Sequence, residues 1–274
     1  MATLFMGGCV VALGSPLAAQ ESVKKRLETS PRHHEWVQIK TRTGRQVRAF
    51  LVFPEVNKPV PAVVVIHENR GLTDWVRGVA DQLAEAGYVA LAPDLLSETG
   101  PNKGGTDSFG SEDAARQGIY RLTPEQVLAD LDACVEHLRK LDAVNKTVAV
   151  AGFCWGGGQT FNYAVHNPDI AAAFVFYGTA PADAEAFRKI KAPVYGFYGE
   201  NDQRITGQVA KVKEQMAGEK KKYDPVIYDG AGHGFMRSGE EPTGRPADRQ
   251  ARNQAWERWK GLLKELGRPA TRPG

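Results

Sequence analysis

The sequence predicts an α/β fold: one doubly wound, mostly parallel β-sheet with helices on both faces. Two observations predict it: from Trp36 onward, apolar strand-like runs alternate with amphipathic helices, and no internal repeat or change of composition marks a second domain. The 274 residues, of which 42% are hydrophobic, suffice for one large domain with a buried core. A short turn between the first two strands implies that the sheet begins with an antiparallel pair.

The first half of the chain contains four predicted strands, which alternate or run continuously in apolar residues; they cover residues 36–40, 47–53, 62–66 and 88–92. A turn at Thr43 and Gly44 joins the first two strands. The third strand is almost entirely β-branched, as expected for a strand buried on both faces. A helix over residues 76–86 ends at Gly87, a residue type favoured just past a helix end.

The second half begins with a polar, glycine-rich connection over residues 94–122, followed by a well-capped helix. Thr123 caps this helix, a proline fits its first turn, and Gln126 completes a capping box. Four more strands are predicted over residues 147–151, 172–177, 194–198 and 225–228. Only about 15 residues separate the second and third of these, so no large lid is expected. A C-terminal helix sets Trp256 and Trp259 on one stripe, where they are expected to belong to the core.

The termini are expected to lie outside the folded domain, which is predicted over residues 36–267, with a linker over 21–35 and a tail over 268–274. Residues 1–20 resemble the apolar and cleavage parts of a secretory signal peptide, although a positively charged leading region is missing. We therefore expect export to the periplasm or the medium, with a cytoplasmic protein as the alternative. Pro16 and three glycines make a stable membrane span a poor interpretation.

The composition excludes several classes of function. Lys and Arg number 35 against 32 Asp and Glu, and a formal charge of +3 is too slight to indicate nucleic-acid binding. Three cysteines, Cys9, Cys134 and Cys154, cannot form a disulfide framework, and no Cys-x-x-Cys pair indicates zinc. We expect no metal, no organic cofactor, a small-molecule partner and a monomeric protein.

The most informative motif is a buried strand that leads through Gly-x-Cys-x-Gly-Gly into a helix, with Cys154 at its centre. This pattern is typical of the nucleophile elbow of α/β-hydrolases, with Cys where Ser usually stands. Side chains at the flanking glycines would collide with the neighbouring strand and helix, and the helix N-terminus favours both a thiolate and an oxyanion. The motif predicts that Cys154 is a nucleophile; the alternative is a small buried cysteine in a glycine-rich turn. Cys134 lies in a predicted helix and is expected to be a packing residue.

An acid and then a histidine follow the nucleophile in α/β-hydrolases. Asp202 follows a strand 48 residues after Cys154, and His233 follows the next strand 31 residues later. We expect His233 to accept the thiol proton and Asp202 to orient the imidazole. Glu200 and Asp229 are rival acids. His67 ends the third strand and is expected to be a structural support.

Three segments together resemble the dienelactone hydrolase family: residues 66–72 (Ile-His-Glu-Asn-Arg-Gly-Leu), the elbow over 152–157, and residues 230–235 (Gly-Ala-Gly-His-Gly-Phe). The resemblance extends from about residue 47 to residue 266. It implies that Glu68 hydrogen-bonds the resting cysteine. It also implies that the backbone N–H groups of Trp155 and Asn69 form the oxyanion hole.

The resemblance further implies that Arg237 grips a substrate carboxylate and that Tyr177 is an aromatic residue of the substrate pocket. The family's second carboxylate-binding arginine follows the fourth strand, where this chain has none over residues 92–97. Arg116 and Arg121 are candidates to replace it. An ester or lactone substrate therefore follows from the resemblance, whereas dienelactone itself does not.

The function predicted is the hydrolysis of a carboxylic ester or lactone through a cysteinyl thioester. A broad-specificity esterase or a phosphotriesterase on the same site is the alternative. Two further classes stay open: a thiol-redox protein, for which no nearby resolving cysteine is found, and a catalytically silent ligand-binding module on a hydrolase scaffold.

Overall fold

The fold is built on one eight-stranded sheet with the spatial order β1-β2-β4-β3-β5-β6-β7-β8. The computed structural model describes residues 23–267. The strands are β1 His33–Lys40, β2 Gln46–Phe53, β3 Val60–Ile66, β4 Val89–Pro93, β5 Val144–Phe153, β6 Ala173–Phe176, β7 Val194–Gly199 and β8 Tyr223–Tyr228. β2 pairs antiparallel with β1 and with β4, and every other pairing is parallel. The predicted parallel sheet with an antiparallel start is confirmed.

Helices cover both faces of this sheet. They are α1 over residues 23–28, α2 Asp74–Glu85, α3 Glu112–Ile119, α4 Pro124–Lys140, α5 Trp155–His166, α6 Gln203–Thr206, α7 Val209–Gly218, α8 Phe235–Ser238 and α9 Pro246–Leu266. One apolar cluster joins the sheet to α4, α5 and α7, and a second joins it to α1, α2 and α9. Trp256 and Trp259 stack in the second cluster at 4.9 Å, so their predicted place in the core is confirmed.

The chain is ordered further towards its N-terminus than the sequence pattern predicted. β1 begins at His33 rather than Trp36, and α1 lies within the segment expected to be a linker. The reason is a buried acid on α2: Asp81 accepts hydrogen bonds from Ser30 (2.7 Å) and Arg32 (2.8 Å) and contacts the imidazole of His34 (2.8 Å). Polar contacts of this kind leave no apolar periodicity in the sequence, so a sequence pattern does not reveal them.

The connection after β4 also contains structure that was not predicted. α3 forms within residues 94–122 because Ser111 caps it, accepting a hydrogen bond from the Ala114 N–H at 3.1 Å, and Ile119 packs beside Leu96. The predicted cap of α4 is confirmed, since the Thr123 hydroxyl accepts from the Gln126 N–H at 3.2 Å.

The proposed signal segment over residues 1–20 and the tail over 268–274 lie outside the described residues, and both stay predictions. Over residues 23–267, none of the helices combines the length and the apolar character needed to cross a bilayer.

Candidate active site

The predicted site residues lie where the parallel strands β3, β5, β6, β7 and β8 end, at one edge of the sheet. Ligands of open α/β sheets bind at this edge, because the loops after the strands meet there. The elbow cysteine follows β5, and the loops after the other four strands carry the side chains that surround it. The topology therefore brings together residues that are far apart in sequence.

Tight backbone contacts fix the elbow. Cys154 adopts a left-handed φ of 56° with ψ −116°, a conformation that is strained for a residue with a side chain. A Cβ on Gly152 would lie 2.2 Å from the Gly156 carbonyl oxygen, and one on Gly156 would lie 2.3 Å from the His67 carbonyl oxygen. A Cβ on Gly157 would lie 2.6 Å from a carbonyl oxygen at the end of β6. The expected collisions are therefore real, and they hold the thiol at the amino end of α5.

Cys154, His233 and Asp202 form one hydrogen-bonded chain. His233 Nε2 lies 3.1 Å from Cys154 Sγ, and His233 Nδ1 lies 2.5 Å from Asp202 Oδ2. The Asp202 side chain is 6% exposed, whereas the imidazole is 33% exposed. The rival acid Glu200 is engaged elsewhere, because it accepts the Gly230 N–H at 2.7 Å. The structure thus brings the three predicted residues together in the predicted order.

The surroundings of His233 favour its charged form. Burial lowers the pKa of the imidazole, but its contacts with Cys154 and Asp202 outweigh burial and raise the pKa to about 9. At neutral pH the ring is therefore an imidazolium that faces the cysteine sulfur. An imidazolium in contact with a sulfur atom favours negative charge on that sulfur.

Tyr177 does not line the site, contrary to the expectation of a pocket aromatic. It has a left-handed φ of 39° and is completely buried, and burial raises the pKa of its phenol well above the ordinary value. Its ring packs edge-on against His233 at 5.1 Å and against Phe235 at 5.4 Å. The residue therefore supports the imidazole from the side that faces the protein interior, where aromatic rings enclose it.

The two expected oxyanion donors follow β5 and β3 at the same edge of the sheet. Trp155 is the first residue of α5, and Asn69 follows the end of β3, against which α5 packs at Gly156. Neither backbone N–H donates a hydrogen bond to another described residue. Two unpaired N–H groups beside a nucleophile can hold a developing oxyanion.

Sequence reasoning missed Tyr120, which lies beside this donor pair. Its hydroxyl accepts a hydrogen bond from Asn69 Nδ2 at 3.1 Å, although 64% of the residue is exposed. Tyr120 comes from the polar connection after β4, where no periodicity indicated its position.

His67 is held by contacts with the backbone on both sides of its ring, which agrees with the predicted role as a structural support. It is completely buried, and burial lowers the pKa of its imidazole. Its Nδ1 lies 2.8 Å from the Glu68 carbonyl oxygen, and its Nε2 accepts the Leu95 N–H at 3.3 Å. The Trp155 ring stacks on the imidazole at 5.6 Å. The neutral ring with a proton on Nδ1 satisfies both contacts, so His67 is a structural support rather than a proton carrier.

Glu68 does not contact the cysteine in the way the family resemblance implied. Its buried carboxylate accepts a hydrogen bond from Arg237 Nε at 2.9 Å instead. Arg237 also donates from Nη1 to Glu241 at 3.1 Å. Burial lowers the pKa of the guanidinium, but the charge of Glu68 outweighs burial and raises it. The physical reason for the pair is that a buried carboxylate needs a counter-charge, and Arg237 supplies it.

A cavity of about 670 Å³ opens beside Arg237. Arg237 lines this cavity, whereas Cys154 and His233 do not. Arg70 lines it together with Arg237 and pairs with Glu112 at 3.2 Å. A second cavity, of about 560 Å³, lies along α4 and α5 and reaches the elbow at Trp155.

The two arginines considered as replacements for the missing family arginine do not line either cavity. Arg116 pairs with Asp113 at 2.7 Å, and Arg121 donates to the Gln117 carbonyl oxygen at 3.2 Å. Arg70 belongs to the motif after β3, yet the sequence pattern suggested no role for it. In the described part of the chain, no group of three or more His, Cys, Asp or Glu side chains is placed to hold a metal ion.

Known proteins are similar to this chain over most of its length. The model of the dienelactone hydrolase family matches residues 47–267. A Saccharolobus solfataricus protein named as a carboxymethylenebutenolidase is 32% identical over 256 residues, which cover 82% of this chain and 96% of that protein. The family match covers both the elbow and the loops after β7 and β8.

Solved structures show the same fold. A protein from Klebsiella pneumoniae described as a dienelactone hydrolase superposes with a TM-score of 0.75 at 24% identity, covering 85% of this chain and 99% of that one. A dienelactone hydrolase-like promiscuous phosphotriesterase from metagenomic libraries has a TM-score of 0.72 at 24% identity, with 86% and 98% covered. The fold is that of the α/β-hydrolases, and the chain belongs to the dienelactone hydrolase family.

Proposed function

We propose that the protein hydrolyses carboxylic esters or lactones through a thioester on Cys154. The observation that carries the proposal is the chain of contacts from Cys154 Sγ to His233 Nε2 (3.1 Å) and from His233 Nδ1 to Asp202 (2.5 Å). A binding module has no need for a strained cysteine that faces an imidazolium. The arrangement therefore favours an enzyme over a silent ligand-binding protein.

In the acylation step, the Cys154 thiolate adds to the substrate carbonyl carbon, and the carbonyl electron pair moves to oxygen. The backbone N–H groups of Trp155 and Asn69 hold that oxyanion. The tetrahedral intermediate then collapses, the bond to the leaving oxygen breaks, and the imidazolium of His233 gives its proton to that oxygen. The products are an alcohol, or the ring-opened hydroxyl of a lactone, and an acyl thioester on Cys154.

In the deacylation step, the neutral imidazole of His233 takes a proton from water while the water oxygen adds to the thioester carbonyl. The carbon–sulfur bond then breaks and releases a carboxylic acid. The cysteine leaves as a thiolate beside the imidazolium, which restores the starting pair. Asp202 keeps the Nδ1 proton in place during both steps and stabilises the imidazolium.

Arg237 is the candidate group for binding a carboxylate on the substrate. Arg237 lines the cavity while its Nε donates to Glu68 and its Nη1 to Glu241, so a substrate carboxylate entering the cavity would meet the remaining Nη2 group. Arg70 lines the same cavity and pairs with Glu112, and the lining also includes Asp74, Asp107, Glu240 and Glu241. Comparing an anionic lactone with a neutral aryl ester therefore tests the role of Arg237.

A phosphotriester is the second candidate substrate, because one structural neighbour is named a promiscuous phosphotriesterase. The same thiolate could attack phosphorus, and the same N–H groups could hold the phosphoryl oxygen. Parallel assays with a p-nitrophenyl ester and a dialkyl p-nitrophenyl phosphate distinguish the two substrate classes.

A pre-steady-state assay tests the proposal. Rapid mixing with p-nitrophenyl acetate should release a burst of p-nitrophenol equal to the enzyme concentration, and prior iodoacetamide treatment should abolish it. Cys134→Ala is the matched control, since that cysteine is completely buried and burial raises its pKa to about 12. The variant should keep both the burst and its sensitivity to iodoacetamide. An alkylated enzyme that still turns over would refute the covalent mechanism.

We also propose that residues 1–20 direct export, because the segment is apolar, rich in small residues and free of charge. N-terminal sequencing of protein recovered from the periplasm or medium should then find a start near Gln20. An intact Met1 on protein found only in the cytoplasm would contradict export.

A further inference from the structure

We propose that two residues of α1, Val23 and Arg26, determine which substrates the active site accepts. Val23 forms a wall of the cavity beside Arg237, and Arg26 fastens α1 to the segment that carries His233 and Arg237. The inference rests on the proposed function, because it assumes that this cavity binds the part of the substrate that extends past Arg237. It gives a role in the reaction to a segment that precedes the sheet and lies outside the family match.

α1 packs closely onto α2 and is held in a defined position. Val23 and Leu27 are 7% and 8% exposed, and both belong to the apolar cluster that contains α2 and α9. The approach is possible because α2 has a glycine at position 78. A Cβ there would lie 2.9 Å from Val23 Cγ1 and 2.9 Å from Arg26 Nη2. Contact this close sets where Val23 can lie.

Arg26 connects α1 to the loop of the catalytic histidine. Its Nη2 lies 2.7 Å from Glu240, whose side chain is only 12% exposed. Glu240 also accepts a hydrogen bond from Trp75 Nε1 at 3.0 Å and pairs with Arg252 at 3.3 Å. The Glu240 carboxylate, two residues after the end of α8, therefore contacts side chains of α1, α2 and α9.

α8 links this junction to the reacting groups. Its first residue lies two positions after His233, and its third residue is Arg237, which binds Glu68 and Glu241. Glu241 is the neighbour of Glu240, so the ion pair of Arg26 and the ion pair of Arg237 lie on consecutive residues. A displacement of α1 would be transmitted to both.

Val23 and Arg237 line the same cavity, and the other apolar lining residues are Leu72, Trp75, Phe109 and Ala115. Leu27 is buried on the same helix but does not line the cavity. Changing Val23 should alter the space available to the substrate, whereas changing Leu27 should alter only the packing of α1. This difference supplies the control.

The experiment measures kcat/KM for two series of p-nitrophenyl or aryl esters, one varied in acyl length and one in the size of the leaving group. Val23→Ala should shift the ratio of kcat/KM values in one series towards the larger ester by about fivefold or more. A change of one methylene group in an apolar pocket alters the discrimination between two substrates by roughly 10–200-fold at most. Val23→Phe should shift the same series in the opposite direction. Arg26→Ala should act in the direction of Val23→Ala, because it releases α1.

Leu27→Val is the control and should leave the preference within about twofold of wild type while lowering the melting temperature slightly. Equal changes in Val23→Ala and Leu27→Val, or identical preferences in all variants, would overturn the inference and leave the proposed function intact. A wild-type protein that hydrolyses neither series would refute the proposed function, and this inference with it. Circular dichroism and melting temperatures identify a variant that fails to fold, in which case the opposite Val23 substitution decides.

Discussion

Asp248 accepts a hydrogen bond at 2.8 Å from the backbone N–H of Gly232, the residue directly before His233. The carboxylate is 4% exposed and lies in the first turn of α9, where Arg245 binds both of its oxygens at 2.8 and 2.9 Å. The loop that carries His233 is therefore attached to a long helix at the residue directly before the imidazole. A bond of this kind positions His233 without touching a substrate.

The first prediction follows from this bond. Asp248→Ala should lower kcat/KM by about tenfold. A hydrogen bond to a charged group contributes roughly 1.5–3 kcal/mol, and part of this free energy holds the loop in position. Asp248→Asn keeps an acceptor and should retain most activity. Arg245→Ala removes the ion pair but leaves the bond to Gly232, so it is the control. Equal losses in Asp248→Ala and Arg245→Ala would contradict the positioning role.

The pH dependence of kcat/KM should report His233. Its pKa is raised from 6.5 to about 9, so the imidazolium that protonates the leaving oxygen persists through neutral pH and is lost as the pH rises through about 9. The rate profile should therefore fall on the alkaline side with a midpoint near pH 9. Stopped-flow acylation between pH 6 and 10.5 measures it.

Asp202→Asn should move that alkaline midpoint to lower pH, because the carboxylate helps to raise the pKa of His233. It should also lower kcat/KM by about 10²-fold or more, since the imidazole loses its orienting acid. Glu200→Gln is the control, as Glu200 holds the Gly230 N–H and does not contact the imidazole. If both variants shift the midpoint alike, Asp202 is not the orienting acid.

Arg237 should determine whether the enzyme prefers a substrate that carries a negative charge. Arg237→Ala should lower kcat/KM for a carboxylate-bearing lactone relative to a neutral aryl ester by about 10–100-fold, corresponding to roughly 1.5–3 kcal/mol for a charge-assisted bond. The single variant also leaves the buried Glu68 without its partner. The double variant Glu68→Gln/Arg237→Ala removes that unpaired charge and should keep the lost preference. Equal losses for both substrates would assign Arg237 to scaffolding alone.

Asp81 should contribute to stability through the N-terminal segment. Burial raises the pKa of its carboxyl, but the hydrogen bonds from Arg32, Ser30 and His34 outweigh burial and lower it to about 2. Because the folded pKa lies below the ordinary value of 3.8, the stabilisation is present above about pH 4 and is lost as the pH falls through about 2.

At pH 7, Asp81→Asn should therefore lower the free energy of unfolding by about 2 kcal/mol, as a shift of one pKa unit corresponds to about 1.4 kcal/mol. Urea denaturation measures this difference, which should shrink between pH 4 and pH 2. Asp107→Asn, at a side chain that is 85% exposed, should change nothing. A constant difference across that pH range would show that lost packing, rather than lost charge, destabilises the variant.

The fold and the positions of Cys154, Asp202 and His233 could be predicted because each depends on a pattern of neighbouring residues in the sequence. Glycines must flank Cys154, since the structure leaves no room for a Cβ at Gly152 or Gly156. Asp202 and His233 each follow a readable apolar strand, so chain order alone places them at the same sheet edge.

The remaining features depend on contacts between distant residues, for which a single sequence carries no pattern. The bond between Glu68 and Arg237 joins residues 169 apart, and only the folded loops show that the carboxylate faces the guanidinium. Tyr177 follows its strand as a pocket residue would, yet the aromatic rings around it bury it. Residues 23–28 hold too few apolar positions for a helical periodicity to be recognised, and the position of this segment depends on the partners of Asp81 and Glu240.

The central claim is that Cys154 carries the acyl group during turnover. Acid quenching of the enzyme with an activated ester, followed by peptide mass spectrometry, tests it most directly. The account predicts one acyl group on the peptide that contains Cys154, released by hydroxylamine, and no adduct in Cys154→Ala, whose kcat/KM should fall at least about 10³-fold. An acyl group on another residue, or a Cys154→Ala variant that keeps more than about a tenth of wild-type kcat/KM, would contradict it.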